Sequence, residues 1–422
     1  MTAAIPFMAA AVLLLPLLGA GVAWIGGRVA AGDHRAYPVL AVNHLATLAW
    51  GTLVAMGALH QMFPAVLGVS AKPGRGALVQ FAITTTGIAV LVAGFLARRT
   101  LWIAVGGTVT WVGITVFLWQ VLRRVPQRRR WPLPATGVVV SLVYLWLAAT
   151  WGAMMGWNWI RMFWPALLTH AGIGVHAVLG LVGWFCQLII SVSYYLLPRF
   201  TGNRQIGDGR LAAILWATNV GIALLVAAAF SALGSLARAG TLALSVAGAL
   251  YAADLRSFVR GGTDRRPDLT NRHWWAITTM MALQTVVAAG WAVGWVPVEG
   301  RRAAVAAAVW VLFGFVTPAI LGQLYKVTPF LIWHYRYAKG MSAAEVPRLQ
   351  APYHPTEGVL AFWLTTAAAA LFPIAVLLQQ PIAGTVAGAL LLTGTLVFAY
   401  LMAASWIGAA VRTNLDGAAG RV

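Results

Sequence analysis

An uncharged run between His170 and Pro198 constrains the fold more than any other feature of the chain. It exceeds the roughly 20 apolar residues that an α-helix needs to cross a bilayer's hydrocarbon core, so we predict a transmembrane helix. On a 3.6-residue period its small and polar residues share one stripe: Gly172, His176, Gly180, Gly183, Gln187, Ser191 and Tyr194. Because a polar side chain facing lipid would cost about 2 to 3 kcal/mol or more, this stripe is predicted to face the inside of a helix bundle.

The rest of the chain has the same character. Only 9% of its 422 residues are charged and 61% are hydrophobic, whereas soluble domains carry about 25% charged residues. Charge-poor runs predict an all-α polytopic membrane protein with twelve spans, at residues 4–30, 38–62, 77–97, 101–122, 135–157, 170–197, 211–232, 235–255, 274–297, 303–333, 358–379 and 381–411. The first run is interpreted as a retained helix and not as a signal peptide, since no basic segment precedes it.

The basic residues predict the topology. Arginine and lysine are concentrated in the loops after even-numbered runs and in the C-terminal tail. By the positive-inside rule both termini are cytoplasmic, and we predict a protein of the inner membrane of a prokaryote. The net charge of +20 is therefore attributed to topology and to contact with the lipid bilayer's anionic head groups, and not to nucleic acid. The single cysteine, Cys186, excludes a disulfide or a cysteine-based zinc site within one chain.

A recurring sequence motif predicts an internal repeat. The second, sixth and tenth runs end in a small residue, a ring residue three positions later and a proline four after that: Gly57, His60 and Pro64; Ser191, Tyr194 and Pro198; Gly322, Tyr325 and Pro329. We predict one transmembrane domain of three arcs of four helices, with pseudo-repeats at roughly residues 4–134, 135–256 and 274–411. The simpler interpretation of the ring residues is an interfacial side chain beside a proline helix stop.

These stretches carry a resemblance to a known family. The stretches are residues 44–64, which begin with His44, residues 176–200, which begin with His176, and the motif at residues 322–330. In these stretches the chain resembles subunit I of the haem-copper oxidase superfamily, and more narrowly its subunit-I-like and NnrS-type members. In that superfamily the second helix supplies an axial histidine to a low-spin haem and the sixth supplies a copper histidine. The resemblance implies these roles for His44 and His176.

The chain also departs from the family pattern. The resemblance implies a histidine pair in the seventh helix and two histidines in the tenth. Residues 211–231 contain no histidine, none lies between Arg302 and Trp333, and Val309 occupies the position in the tenth run that matches His44. A three-histidine copper centre therefore cannot form, and oxygen reduction by this chain alone is not expected. Two histidines are enough for one six-coordinate haem.

The histidines divide into candidates and others. His44 and His176 are predicted to hold a haem or a copper ion near the outer leaflet, the alternative being buried histidines that hydrogen-bond to neighbours. His170 lies about 120° round the helix from His176 and could join the same metal site only if the helix start is irregular. His60 lies about 24 Å along the helix from His44, so the two cannot share a metal. The remaining histidines are predicted in loops or at span edges, facing solvent or lipid: His34, His273, His334 and His354.

Two functions follow as hypotheses. The first is a redox membrane protein with one haem or copper, serving electron transfer or nitric-oxide or metal stress, with other respiratory or redox subunits as candidate partners. The second is a cofactor-free protein that binds or transports a lipid, a quinone or a small solute. Whether the chain is an enzyme is left open. All nine acidic residues fall in loops or at span ends, as Asp254 does, so no carboxylate is predicted in the middle of the membrane for a proton relay.

Overall fold

A computed structural model of the chain describes residues 4–69, 75–127, 131–201, 207–231, 233–260, 268–336 and 355–419. Within these residues the protein is helical and contains no strand. Twelve helices are long and apolar enough to cross a membrane, which confirms the predicted all-α polytopic membrane protein. We number them α1 (Ile5–Ala30), α2 (Tyr37–Pro64), α3 (Arg75–Leu96), α4 (Thr100–Gln127), α5 (Leu133–Ile160), α6 (His170–Arg199), α7 (Asp208–Ser231), α8 (Gly234–Arg260), α9 (Leu269–Ala292), α10 (Gly300–Ile332), α11 (Thr356–Leu377) and α12 (Pro381–Trp406).

One difference from the predicted spans is the position of α9. The apolar run continues to residue 297, but the helix ends at Ala292. Gly294 has a positive φ of 87°, and the backbone N–H of Trp295 donates to the carbonyl of Gly290 at 2.8 Å. A glycine in the left-handed region closes the helix and turns the chain. The helix has 24 residues, as the predicted span 274–297 has, but it begins and ends about five residues earlier.

The helices pack so that the chain closes on itself. α1 packs along α12, with Gly26 against the backbone of Gly384, and consecutive helices pair along most of the sequence. Odd-numbered helices finish, and even-numbered helices begin, at one end of the bundle, which we call the His34 end. The opposite end, where α2 finishes, is called the Pro64 end.

Three helices contain a stretch of π-helix, in which the backbone bonds from i to i+5. The stretches are Leu45–Thr52 in α2, Val178–Cys186 in α6 and Trp310–Val316 in α10. These are the helices whose ends share the sequence motif described above. Each stretch begins one or two residues after His44, His176 or Val309. Such stretches are rare and are frequent at functional sites. Their recurrence accords with the predicted repeat.

The ring residues of the repeat lie inside the bundle and not at its surface. His60, Tyr194 and Tyr325 are 5%, 7% and 1% exposed. Nε2 of His60 lies 3.3 Å from Oε1 of Gln80 on α3, and the Tyr194 hydroxyl donates to a carboxylate oxygen of Asp254 on α8. The interfacial interpretation was therefore wrong. His60 and Tyr194 therefore link neighbouring helices by hydrogen bonds inside the Pro64 end of the bundle.

Two further residues are more buried than the sequence indicated. Asp254 stands near the end of α8 as predicted, but it is 4% exposed and pairs with Arg210 at 3.1 Å. His273 was predicted to face solvent or lipid, which is wrong: it is 1% exposed, and its Nδ1 lies 2.7 Å from the carbonyl of Leu269. The side chain of His334 and the whole of His354 lie outside the described residues.

Glycines bring α3 and α4 into backbone contact. A Cβ built on Gly106 would come within 2.7 Å of the Cα of Leu91, and one built on Gly94 within 2.7 Å of the backbone nitrogen of Ile103. Backbone atoms cannot rotate away as a side chain can. The two helices therefore sit as close as they do only because these positions carry no side chain.

We expect Gly106→Ala to lower the thermal unfolding temperature of the detergent-solubilised protein, because the Cβ forces α4 away from α3. Overpacking of this kind costs about 1 to 3 kcal/mol. The adjacent variant Gly107→Ala is a matched control, since its Cβ would meet only the Cα of Ala153 at 3.7 Å, an ordinary contact. Equal melting temperatures for the two variants would contradict the packing at this interface.

Candidate functional site

A cavity of about 670 Å³ extends from the His34 end into the middle of the bundle. Its walls come from α1 to α6, α10 and α11, and they are mostly apolar. The volume falls within the range of about 300 to 1,000 Å³ that is typical of sites for small molecules and cofactors. Both predicted ligands, His44 and His176, line it.

The structure brings His44 and His176 together, and we call them the buried pair. Their ring centres are 6.2 Å apart and their planes differ by 26°. They come from different helices and lie 132 residues apart in sequence. Both side chains are half-buried, and their accessible faces turn to the cavity.

One nitrogen of each ring is already committed to the protein. Nδ1 of His44 lies 2.8 Å from the carbonyl oxygen of Leu40, and Nδ1 of His176 lies 3.0 Å from that of Ala148. Because a carbonyl oxygen only accepts, each Nδ1 carries the hydrogen and each Nε2 of the neutral ring keeps a free lone pair. Histidines that bind metals are commonly held in this way by a backbone carbonyl.

Small residues and one aromatic ring shape the space round the buried pair. Phe95 of α3 stacks on His44 with ring centres 4.9 Å apart. Gly152 of α5 makes room for His176, because a Cβ there would approach its Cε1 to 2.9 Å. At Gly174 an added Cβ would meet nothing within 4 Å, and at Gly180 only the Cβ of Ala148 at 4.0 Å. The stripe predicted on α6 therefore borders open space beside the histidines.

Polar residues surround the cavity where it reaches the His34 end. His34 and Arg35 from the α1–α2 connection, His170 at the start of α6 and Arg301 at the start of α10 all line it. We call His34 and His170 the mouth pair, since their ring centres lie 6.0 Å apart. An Nη2 of Arg35 donates to the carbonyl of Leu168 at 3.0 Å.

His170 thus lies beside His34, at the mouth of the cavity that the buried pair lines. Across the part of the chain that the structure describes, no three His, Cys, Asp or Glu side chains form a group that could hold a metal. The sequence interpretation missed His34, Arg35 and Arg301 because it treated them as loop residues. Their place next to the ends of α1, α2 and α10 was the signal that could have found them.

Val309 marks the third repeat-equivalent position. It lies immediately before the π-helical stretch of α10, as His44 does in α2, and it also lines the cavity. Three positions that stand one or two residues before a π-helical stretch therefore line one cavity, and two of them carry an imidazole. The third position contributes only an apolar wall.

Comparison with models of known protein families found no match for this chain, and comparison with curated proteins found none either.

The cavity should be open to water at the His34 end. We expect Gly174→Cys, which lies in open space on the cavity wall, to react with a water-soluble maleimide in detergent solution. The native Cys186 is the internal control, because it is absent from the lining and lies about 18 Å further along the helix. Mass spectrometry gives the count of labels. Labelling no faster than in the unmodified chain would show that water does not reach this wall.

Proposed function

We propose that the cavity binds one haem, with His44 and His176 as its two axial ligands, and that the protein takes part in electron transfer. The observation that carries this proposal is the separation of the buried pair. Two imidazoles bound to opposite sides of one metal, at about 2.0 to 2.1 Å from each nitrogen, have ring centres about 6.3 Å apart. The ring centres of His44 and His176 are 6.2 Å apart.

The donor set fits a haem better than a lone copper ion. A haem brings four nitrogen ligands of its own, so two imidazoles complete its coordination. Copper sites in proteins usually take three or more protein ligands, and no third His, Cys, Asp or Glu joins the buried pair among the described residues. Copper between the two rings remains the second choice for the same site.

The rest of the cavity also suits a haem. Its apolar walls match the macrocycle, and Gly152, Gly174 and Gly180 leave room for a flat group beside the histidines. The guanidinium groups of Arg35 and Arg301 stand at the mouth, where they would favour the carboxylates of a haem. When bound, the haem would supply one-electron iron chemistry, while the chain holds the axial rings and excludes water.

The ligand count favours electron transfer over gas binding. If His44 and His176 occupy both axial positions, no position is open to oxygen or nitric oxide unless one histidine leaves. Both rings are tied to backbone carbonyls of helices, which resists such a movement. A role in nitric-oxide or metal stress is therefore the less favoured form of the proposal. The fold resemblance to the haem-copper oxidase superfamily supports a redox role only by analogy.

The distribution of arginine also supports a particular orientation of the protein across the membrane. We infer that the His34 end faces outwards across the inner membrane of a prokaryote, with both termini cytoplasmic. The haem would then lie near the outer leaflet, where a respiratory or redox partner on that side could exchange electrons with it.

A cofactor-free binding protein is the alternative, and one observation favours it. The walls of the cavity are mostly apolar and the cavity is large enough for a quinone head group or a lipid chain. In that case Nε2 of His44 or His176 would accept a hydrogen bond from a hydroxyl group of the ligand.

The deciding experiment is an optical spectrum of the purified protein, expressed with haem and copper supplied and recorded oxidised and dithionite-reduced. We expect a Soret band that shifts on reduction and about one iron per chain. His44→Ala and His176→Ala should each lower the bound haem at least about tenfold, since removing even an outer-shell partner of a ligand costs 10- to 100-fold in affinity.

His60→Gln is the control variant. His60 is also enclosed by the bundle, but it lies towards the Pro64 end, where its ring bonds to Gln80, so the Soret band should keep its height. An unchanged spectrum in His44→Ala would refute the assignment. A protein without colour or metal, carrying an extractable quinone or lipid, would establish the alternative.

A further inference from the structure

We propose that the mouth pair, His34 and His170, forms a separate binding site for a transition-metal ion of the Cu²⁺ or Zn²⁺ class. Imidazole is a preferred ligand of these ions. The site does not depend on whether the buried pair holds a haem.

The geometry of the mouth pair allows a shared metal. Two imidazoles bound to one ion have ring centres about 5 to 6.3 Å apart, from a tetrahedral to a linear arrangement. The ring centres of His34 and His170 are 6.0 Å apart and their planes differ by 43°. This distance lies within the range for two imidazoles on one ion.

The two rings are presented in different ways. Gly32 has a positive φ of 92° and turns the chain after α1, and its carbonyl lies 2.9 Å from Nδ1 of His34. This contact leaves Nε2 of His34 with a free lone pair. His170 is the first residue of α6, after Thr169, whose hydroxyl accepts from the backbone N–H of Gly172 at 3.2 Å. The His170 ring makes no hydrogen bond to the described residues that surround it.

Water distinguishes the mouth pair from the buried pair. His170 is exposed and His34 is half-buried at the mouth of the cavity. Two imidazoles leave a Cu²⁺ or Zn²⁺ ion with open positions, and at the mouth these can be filled by water. The cavity walls round the buried pair are mostly apolar and offer an ion few polar partners, so we place the two-histidine ion site at the mouth and the haem deeper.

The charge round the mouth does not exclude a cation. Arg28 is paired with Asp33 at 3.5 Å, and Arg301 with Glu299 at 3.6 Å. Glu299 offsets part of the charge of Arg301, and a metal at His170 must bind against the rest of that charge and against Arg35.

A bound ion would also act on the cavity. It would tie the connection between α1 and α2 to the start of α6, and these two segments border the same opening. Metal at the mouth pair therefore narrows the path between water and the buried pair.

The test is a calorimetric titration with Zn²⁺ of the purified full chain, which carries an affinity tag without histidine. A parallel sample receives Cu²⁺ instead and is measured by electron paramagnetic resonance. We expect about one Zn²⁺ per chain at this site and nitrogen couplings on Cu²⁺. His34→Gln and His170→Gln should each weaken binding at least about tenfold. His44→Gln should leave Zn²⁺ binding unchanged, even if it removes a haem.

Absence of a one-equivalent Zn²⁺ site in the unmodified chain would overturn the proposal, and this result needs no variant. Undiminished binding in His34→Gln or His170→Gln would also overturn it. Loss of Zn²⁺ binding in His44→Gln would do so too, by placing the ion at the buried pair. A Soret band that is absent from the unmodified chain while Zn²⁺ still binds would refute only the proposed haem, since the two sites have separate readouts.

Discussion

The hydrocarbon core contains no water, and the protein must therefore satisfy its own polar groups. The described side chains show how this is done. The Tyr144 hydroxyl donates to Asn219 at 2.7 Å, and Asn219 donates in turn to Gln187 at 2.9 Å. His44 and His176 each bond to a backbone carbonyl through Nδ1. Some buried donors in the described part of this bundle stay without a partner, among them Nε2 of Gln187 and Nε1 of Trp50 and of Trp310. The Nε2 atoms of His44 and His176 differ from these because each carries a lone pair and its ring lines one shared cavity, which is why we propose a ligand there.

The backbone supports the same cavity. In α2 and α6 a π-helical stretch follows the histidine within two residues, and α10 has the same stretch after Val309. A π-helical turn changes the angular spacing of side chains, so residues before and after it can face different neighbours. Three helices therefore share this backbone feature, while an imidazole precedes it in two of them.

Prediction from the residues succeeded for the features that the surrounding lipid determines. Lipid demands long apolar helices, so the twelve spans were visible as runs without charge, and the burial of Gln187 and Ser191 followed from their shared stripe. It failed where burial depends on which helix lies alongside. His273 looked like an edge residue because it stands near the start of α9, and only the neighbouring α10 and α11 cover it, with Tyr325 and Phe362 against its ring.

The sequence by itself determined the number of spans and the inward face of α6, because these follow from hydrophobicity and helical period. It also singled out His44 and His176 by their equivalent places in a repeat. Only the tertiary structure decided that the two rings lie 6.2 Å apart across one cavity, and that His170 meets His34 instead. The physical reason is that the distance between two rings on different helices depends on how those helices are rotated and spaced. Contacts between helices, such as Gly106 against Leu91 and Gly152 against His176, set this rotation and spacing.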